Sequence, residues 1–328
     1  MDKLLTIIIP SYNVERYLDT VLKTYILPDL FPMLEVLIVN DGSTDRTAEI
    51  AETYCEQYPE CFRLITKENG GHGSTINTGI QRASGKYIRV IDGDDWVDTQ
   101  CLGRFLEKLQ TLDADVVISP YNEVNDEGTI LNNRPLPPGV TENKTLRAEE
   151  QITVFRTLYA MHANTFKADI LRRIPPISEH CFYVDQEYIF FPMKEIKTVA
   201  FINECVYQYR LGTQGQSVSL NNLKKNRAQH AHVILRVLDE IRTWNNVPFL
   251  PIVKDAMTSL THKQLELLIM MPPSMTTYRE IQDFVCGVKE KAPWLFPELH
   301  YWKDKAMQIN TPLVYFAVEF FTHLRMKE

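Results

Sequence analysis

Three aspartates crowd the end of one apolar run. Residues 87–98 read Tyr-Ile-Arg-Val-Ile-Asp-Gly-Asp-Asp-Trp-Val-Asp, so Asp92, Asp94 and Asp95 fall within four positions and Gly93 lets the backbone turn. Carboxylates this close repel one another, and a cation is the usual compensation at a buried strand end. A divalent ion held by one or two carboxylates keeps open positions that phosphate oxygens can fill. The pattern therefore predicts a metal-bound diphosphate.

The first 120 residues alternate two patterns that would position these acids. Apolar or β-type runs predict strands at 4–10, 35–40, 62–66, 87–91 and 115–119, and helical spacing predicts helices at 14–25, 44–58, 74–83 and 102–112. Thr44 is expected to cap the second helix, and Gly85 to end the third in a C-cap role. Such alternation predicts right-handed crossovers and an open, doubly wound, mostly parallel sheet.

Polar residues follow three of these predicted strands. They lie at 11–13, 40–43 and 92–95. Because ligands bind at the carboxyl ends of the strands in open α/β sheets, the three loops are expected to converge on one site.

Composition excludes several classes of partner. The 328 residues carry a formal charge of −7, and Lys224-Lys225 is the longest basic block, so no nucleic-acid footprint is present. The six cysteines show no CxxC pair and no zinc spacing, which indicates thiols in a reducing compartment. We find no signal-peptide pattern and no apolar stretch of about 20 residues, so a cytoplasmic protein is expected.

The character of the chain changes after residue 221. Residues 122–149 are irregular with a hairpin turn at 126–128, and short strands are predicted at 198–202 and 206–209. Helical periodicity then covers 228–244, 253–270, 278–288 and 311–324, with prolines between the helices. We predict a catalytic domain over residues 1–220 and a helical appendage over 221–328. The helices of the appendage are candidates for homo-oligomer contacts, for acceptor binding and for peripheral contact with the inner face of the membrane, and the sequence favours none of these.

Four motifs together resemble a known enzyme family. They are Thr6-Ile-Ile-Ile-Pro-Ser-Tyr-Asn13, Val39-Asn-Asp-Gly-Ser-Thr-Asp45, Asn69-Gly-Gly71 with Asn77-Thr-Gly79, and Ile91-Asp-Gly-Asp-Asp-Trp96. Their order and spacing are similar to those of glycosyltransferase family 2, and the resemblance covers roughly residues 3–215. It implies the GT-A fold, a nucleotide-sugar donor, an Mn²⁺ or Mg²⁺ cofactor, and sugar transfer with inversion.

The resemblance assigns roles to individual residues. Donor-binding residues would be Pro10, Ser11, Tyr12, Asn13, Asp41, Gly71, Asn77, Asp94 and Arg210. Tyr12 would place its ring on the nucleobase, and Asp41 would accept the imide N–H of uracil, although Asp-Gly-Ser is also good turn chemistry. Asp94 and Asp95 would be the paired aspartates of the family, one toward the ribose and one on the ion, with both as candidate metal ligands. Asp92 would shape the loop.

Inversion needs a base opposite the leaving diphosphate. The matching segment is Tyr183-Val-Asp-Gln-Glu-Tyr-Ile-Phe190, in which Asp185 falls on the base position of the family; a helix N-cap is the alternative. Glu187 would orient the acceptor or be exposed. Two positions depart from the family pattern, because Val184 replaces the usual Glu and Ile76 replaces an Arg that many relatives carry.

Several nearby residues keep two interpretations. Gly71 would let the backbone approach the donor or make a plain turn, and His72 is expected to face solvent. Arg210 would neutralise the departing diphosphate or form a surface salt bridge. His162 and Asn164 fall near the acceptor region of relatives, but a core or surface role is favoured for each.

The sequence thus predicts an inverting, metal-dependent hexosyltransferase that uses a UDP-sugar and a glycan, lipid-linked, teichoic-type or protein acceptor. One alternative is a catalytically weak relative that acts as a partner or chaperone. A sugar-1-phosphate nucleotidyltransferase is the other, but the Gly-rich, Arg-containing loop typical of that class is replaced here by Pro10-Ser-Tyr-Asn13.

Overall fold

The computed structural model describes residues 3–152, 160–212, 220–299, 306–309 and 311–325. The chain divides into two units, Met1–Gln214 and Gly215–Glu328. Residues 212–217 resemble the flexible segment that closes over the donor in the family, with Gly212 and Gly215 as hinge-permissive positions, and they lie largely outside the described residues, which resume at position 220.

Aliphatic runs without polar alternation form the central strands of the first unit, and both β1 and β2 are buried at every position. The strands are β1 (Leu5–Ser11), β2 (Leu34–Asn40), β3 (Phe62–Thr66), β4 (Tyr87–Val90), β5 (Trp96–Val97), β6 (Val116–Ile118), β7 (Tyr121–Val124), β8 (Ile130–Arg134), β9 (Leu146–Arg147), β10 (Asn164–Lys167), β11 (Thr198–Phe201) and β12 (Tyr207–Arg210).

Helices cover both faces of the sheet and continue through the second unit. They are α1 (Glu15–Lys23), α2 (Thr47–Gln57), α3 (His72–Arg82), α4 (Thr99–Leu109), α5 (Ala148–Gln151), α6 (Ala168–Leu171), α7 (Asp185–Phe190), α8 (Leu220–Lys225), α9 (Arg227–Ile241), α10 (Leu250–Ile269), α11 (Met275–Lys291) and the last described helix, Pro312–Arg325. Short 3-10 helices lie at Pro28–Leu30, Met161–Ala163, Phe191–Lys194 and Pro293–Glu298.

The main sheet has eight strands in the order β3-β2-β1-β4-β10-β6-β11-β9. β1 pairs in parallel with β2 and with β4, and Ser11 lies beside Asn40, so the carboxyl ends of these strands share one edge. β10 is antiparallel to both of its neighbours. Ile7 and Ile9 pack into the core beneath α1 and α4, whereas Ile8 meets Gly79 of α3 on the other face. The predicted doubly wound, mostly parallel sheet is confirmed.

A second sheet extends the same edge. Its order is β5-β12-β7-β8, and β12 runs antiparallel to β5 and parallel to β7. The turn between β7 and β8 contains Gly128 at φ 80°, as the predicted hairpin requires. Through this sheet β12 lies beside the residues that follow β4.

Two capping predictions are wrong. Helix α2 begins at Thr47 with Arg46, not Thr44, as its N-cap residue, and the Asp45 carboxylate just before it accepts the Thr47 N–H at 3.0 Å. Gly85 does not end α3, since the helix stops at Arg82 with extended backbone at Ala83. A side chain at Gly85 would lie 2.5 Å from the backbone nitrogen of Thr6, so strand packing explains the glycine.

The second unit is helical, as predicted for the C-terminal region. Arg227 of α9 pairs with Glu280 of α11 at 2.7 Å, and His230 of α9 hydrogen-bonds Gln264 of α10 at 2.7 Å. Leu313 on the last helix is 83% exposed, so the face that carries it is not packed within the described residues. Among the described helices, none combines the length and the apolar character needed to cross a bilayer.

Segment 177–183 packs directly against the start of α3. The Asn77 amide donates to the Ile177 carbonyl at 2.8 Å and accepts the Ile177 N–H at 2.9 Å. A Cβ at Gly73 would lie 2.0 Å from the Ser178 carbonyl oxygen, so only glycine permits this approach. This contact brings two parts of the chain about 100 residues apart to one edge of the sheet.

Gly73→Ala is expected to destabilise the protein by about 2 kcal/mol, because the new methyl group overlaps backbone atoms that cannot move aside easily. Gly103→Ala is the matched control, since that glycine is also inside a helix and its Cβ would meet only Leu30 Cδ1, at 3.6 Å. There the higher helix propensity of alanine should leave stability equal or raise it by up to ~1 kcal/mol. Thermal unfolding by calorimetry compares the two, and equal melting temperatures would contradict the proposed overlap.

Candidate active site

A cavity of about 420 Å³ opens at the carboxyl ends of β1 and β2. Its walls come from four stretches of chain: the end of β1, the residue after β2, the loop before α3 with its first turn, and segment 180–182. The lining residues are Pro10, Ser11, Tyr12, Asp41, Asn69, Gly71, His72, Thr75, His180, Cys181 and Phe182. The structure therefore brings together five of the predicted donor-binding residues, namely Pro10, Ser11, Tyr12, Asp41 and Gly71.

Asp41 organises the loop before α3. Its Oδ1 accepts hydrogen bonds from Lys67 Nζ at 2.9 Å and the Gly70 N–H at 3.0 Å, and its Oδ2 accepts from the Gly71 N–H at 2.8 Å. Ser74 Oγ donates to Oδ1 at 3.3 Å. The carboxylate is 2% exposed, and the protein itself supplies these four donors to it. Oδ2 accepts only one of these bonds and has a second lone pair, so it can take a further donor from a ligand.

The glycine at position 71 is required by a protein contact. Its φ is 82°, and a Cβ there would lie 3.1 Å from the His180 backbone. The His180 N–H donates to the Gly70 carbonyl at 2.6 Å. Gly71 thus lines the cavity and at the same time lets segment 180–182 form its far wall.

Two predicted donor-binding residues have structural partners outside the cavity lining. The Asn13 side chain accepts the Thr44 N–H at 2.9 Å and thereby joins the loops after β1 and β2. Asn77 holds Ile177, as described above. Contact of either side chain with a donor stays a prediction.

Arg210 is a buried cation held by aromatic rings. Its guanidinium lies 4.6 Å from the ring centre of Tyr17 and 4.7 Å from that of Trp96. It donates to the Asp94 carbonyl at 2.7 Å and pairs with Asp126 at 2.9 Å. Arg210 itself is 6% exposed, and its ion-pair partner Asp126 is 42% exposed, while contact of the guanidinium with the departing diphosphate stays a prediction. Its contacts hold the acidic loop against β12.

Asp92 is paired with a histidine of the cavity wall. His72 Nε2 lies 2.9 Å from Asp92 Oδ1, and His72 is half-buried rather than facing solvent as expected. Although burial opposes both charged forms, the pairing raises the pKa of His72 and lowers the pKa of Asp92. The first turn of α3 is thereby linked to the acidic loop.

Asp95 is the most buried of the three acids, with 1% exposure. It accepts the Tyr207 hydroxyl at 2.7 Å and the Arg210 N–H at 2.8 Å, both from β12. Burial, followed by the charges of Asp94 and Asp92, raises its pKa well above the ordinary value. Burial and Asp92 also raise the pKa of Asp94. The protein therefore does not compensate these charges fully.

His162 joins two of the acids in a candidate metal centre. One ligand atom each from Asp92, Asp95 and His162 lies within 4.8 Å of the others. His162 Nδ1 is buried and has no hydrogen-bond partner among the described residues, and burial lowers the pKa of His162 to about 4, which keeps the imidazole neutral. Two carboxylates and a neutral imidazole can ligate a divalent cation. The residues present therefore fit the predicted ion.

The composition of this cluster differs from the sequence-based expectation. Asp94 was predicted to share the metal with Asp95 but is not part of the cluster. Asp92 was expected only to shape the loop, yet it belongs to the cluster. His162 stacks on Tyr209 with ring centres 4.2 Å apart and meets Tyr207 edge-on at 4.6 Å. No local signal points to position 162, because its partners lie about 70 residues before it.

Asp185 is the first residue of α7 and is half-buried. Burial raises its pKa, and the charges of His72 and Asp92 also act on it, so the carboxylate lies near the acidic loop. Glu187, expected to orient an acceptor or be exposed, is instead fully buried and accepts the Ser178 N–H at 2.6 Å and the Ser178 hydroxyl at 2.8 Å. Glu187 thus holds the segment that leads from the cavity to Asp185.

Known proteins share sequence and fold with this chain. The family model described as Glycosyl transferase family 2 matches residues 6–173. The uncharacterized glycosyltransferase EpsJ of Bacillus subtilis (strain 168) is 29% identical over 219 residues, which are 64% of this chain and 62% of EpsJ. The match therefore spans less than two thirds of that relative.

Solved structures share the architecture. S. aureus TarS 1-349 in complex with UDP-GlcNAc superposes with a TM-score of 0.69 at 17% identity, covering 98% of this chain and 92% of that one. The mannosyltransferase PcManGT from Pyrobaculum calidifontis, in complex with GDP-Man and Mn²⁺, gives 0.51 at 16% identity, covering 100% and 89%. At these identities the comparison shows a common fold, and the predicted GT-A fold is confirmed.

Asp41→Asn is expected to loosen the loop before α3. The asparagine amide has the shape of the carboxylate, but one of its two acceptor oxygens is replaced by an NH₂ group, which cannot accept a backbone N–H. Each hydrogen bond to a charged group contributes about 1.5–3 kcal/mol, so its loss weakens the loop. Hydrogen exchange at the Gly70 and Gly71 amides should become at least about tenfold faster. Asp45→Asn is the control, because Asp45 also accepts backbone N–H groups but from Thr47 and Glu15. Unchanged protection at positions 70 and 71 in Asp41→Asn would refute the assigned role.

Proposed function

The chain belongs to glycosyltransferase family 2, as its motifs predicted, and from that premise we propose that it transfers a hexosyl unit from a UDP-sugar, with inversion, to a glycan, lipid-linked, teichoic-type or glycoprotein acceptor. One observation carries the proposal: His72 of the cavity wall pairs with Asp92 of the Asp92–Asp95–His162 cluster, and the charges of both act on Asp185.

The donor nucleotide fits the cavity by chemistry and size. Tyr12 is 52% exposed at its wall and offers a ring face to a base, and Asp41 Oδ2 retains acceptor capacity for an imide N–H. A volume of about 420 Å³ is in the usual range for small-molecule sites. TarS, the neighbour with the higher TM-score, binds UDP-GlcNAc and supports uridine, whereas PcManGT binds GDP-Man. This is the basis for proposing a UDP-sugar.

Asp92, Asp95 and His162 would hold Mn²⁺ or Mg²⁺ beside the donor diphosphate. When bound, such an ion offsets the charge of the diphosphate and so helps the nucleotide to leave. The Mn²⁺ in the PcManGT complex supports manganese as one candidate. His72, paired with Asp92, keeps that carboxylate oriented between the cluster and the cavity.

Asp185 would act as the general base. It takes the proton of the acceptor hydroxyl while that oxygen attacks the anomeric carbon, and the bond from this carbon to the diphosphate oxygen breaks, which releases UDP and inverts the configuration. The raised pKa of Asp185 brings the carboxylate closer to the strength that a base needs near neutral pH.

We place the reaction in the cytoplasm. The six cysteines form no disulfides in the structure, which suits a reducing compartment.

The decisive experiment is a donor screen by UDP release with Mn²⁺, followed by linkage analysis, on the wild type and Asp185→Asn. Loss of the base should lower kcat at least about 100-fold while the UDP dissociation constant changes less than about threefold. Glu179→Gln is the matched control, since that exposed acid is in the segment preceding α7 and should keep wild-type turnover.

Three results of this screen would count against the proposal. Absence of any nucleotide binding in the presence of metal would refute it. UDP binding without turnover over a broad panel would instead favour a non-catalytic partner. Equal loss of activity in Asp185→Asn and Glu179→Gln would remove the base assignment.

His162→Phe is expected to weaken activation by metal, because phenylalanine keeps the ring that stacks on Tyr209 but removes the ligand nitrogen. The Mn²⁺ concentration for half-maximal activity should rise about tenfold or more, and EDTA should abolish wild-type turnover. Direct Mn²⁺ binding, followed by electron paramagnetic resonance, provides a readout that does not depend on turnover. His232→Ala, on the exposed side of α9, should behave as wild type. Unaltered Mn²⁺ affinity in His162→Phe would exclude His162 as a ligand.

A further inference from the structure

Two large aromatic rings remain half exposed on the same cavity. Tyr12 is 52% exposed and Phe182 is 49% exposed, and both line the cavity at the carboxyl ends of β1 and β2. Single exposed rings on a protein surface need no explanation, but two rings that converge on one concave site with a polar floor are typical of a ligand pocket. The family motifs account for Tyr12 and not for Phe182.

The segment that carries Phe182 is held in a defined conformation. His180 and Tyr183 on either side of it have φ angles of 49° and 65°, which cost residues other than glycine of order 1 kcal/mol each. Such backbone persists only where its surroundings impose it. Here the His180 N–H is bonded to the Gly70 carbonyl, and Glu187 binds Ser178. Phe182 is therefore presented by a fixed piece of backbone.

That backbone shares its anchor with the cavity floor. The Gly70 carbonyl accepts from His180, while the N–H groups of Gly70 and Gly71 donate to Asp41. Phe182 and Asp41 are thus positioned by one loop. Ile76, where many relatives carry an arginine, is fully buried and does not line the cavity. The wall on this side comes from segment 180–182 instead.

We propose that Phe182 stacks on the uracil base of the donor and forms, with Tyr12, the aromatic walls of the nucleobase site. The inference rests on the proposed function and adds a residue that determines nucleotide affinity. Asp41 would select a base with an N–H at its edge, whereas Phe182 would contact the π-face, which every base possesses. The contribution of Phe182 to the binding free energy should therefore be the same for UDP and CDP.

Isothermal titration of UDP and CDP in the presence of Mn²⁺ tests the assignment. Phe182→Ala should weaken both nucleotides about tenfold, as expected for loss of one base–aromatic stack. Phe182→Tyr, which keeps the ring, should remain within about twofold of wild type. Phe182→Leu keeps apolar area without the π-face and should fall between them. The donor KM should rise in parallel with the dissociation constant, while the acceptor KM stays constant.

The same variants distinguish a nucleobase-binding role of Phe182 from a folding defect and from a role in acceptor binding. Because Phe182 is half exposed, the melting temperature of Phe182→Ala should match wild type, and recovery of affinity in Phe182→Tyr would exclude a general defect. Unchanged UDP affinity with a raised acceptor KM would overturn the inference and assign the ring to the acceptor, leaving the proposed function intact. Absence of nucleotide binding by the wild type would refute both.

Discussion

The organising constraint of this molecule is the concentration of negative charge after β4. Asp95 is almost fully buried and relies on a hydroxyl and a backbone N–H of β12, while Asp92 relies on His72 of α3. Each partner comes from a distant part of the chain, so the acidic loop is formed only when β12 and α3 are both in position. The second sheet has this role, since its strands bring Tyr207 and Arg210 beside the end of β4. The remaining uncompensated charge is what makes the loop suited to a cation.

The second constraint is space rather than charge. The start of α3 and segment 177–183 approach so closely that side chains at Gly71 and Gly73 would overlap backbone atoms. When α3 and segment 177–183 are packed together, the Gly70-Gly71 loop bonds both to Asp41 and to the segment that carries Phe182. That segment continues into α7, which begins at Asp185. The cavity and the proposed base therefore belong to one connected framework. A change that separates α3 from this segment should affect both.

Local pattern was sufficient for the parts of the fold that depend on local chemistry. Continuous aliphatic runs predicted the parallel strands, because a strand that is buried on both faces does not alternate apolar and polar residues. Residues that follow β1 and β2 were expected at one site because parallel strands end at one edge. The pairings that finish the site were not predictable, since His72 and His162 meet Asp92 through folding and not through spacing. The burial of Glu187 is of the same kind, because its partner Ser178 precedes the helix.

The two departures from the family pattern both fall at buried positions. Ile76 and Val184 are 0% and 1% exposed, so both replace a charged residue by an apolar one inside the protein. An unpaired charge at a buried position is strongly destabilising, by about 3–5 kcal/mol, so apolar side chains at these two positions are compatible with a stable fold. Here the three acids, Asp41 and Asp185 all remain, and His72 provides a positive partner within the cavity wall.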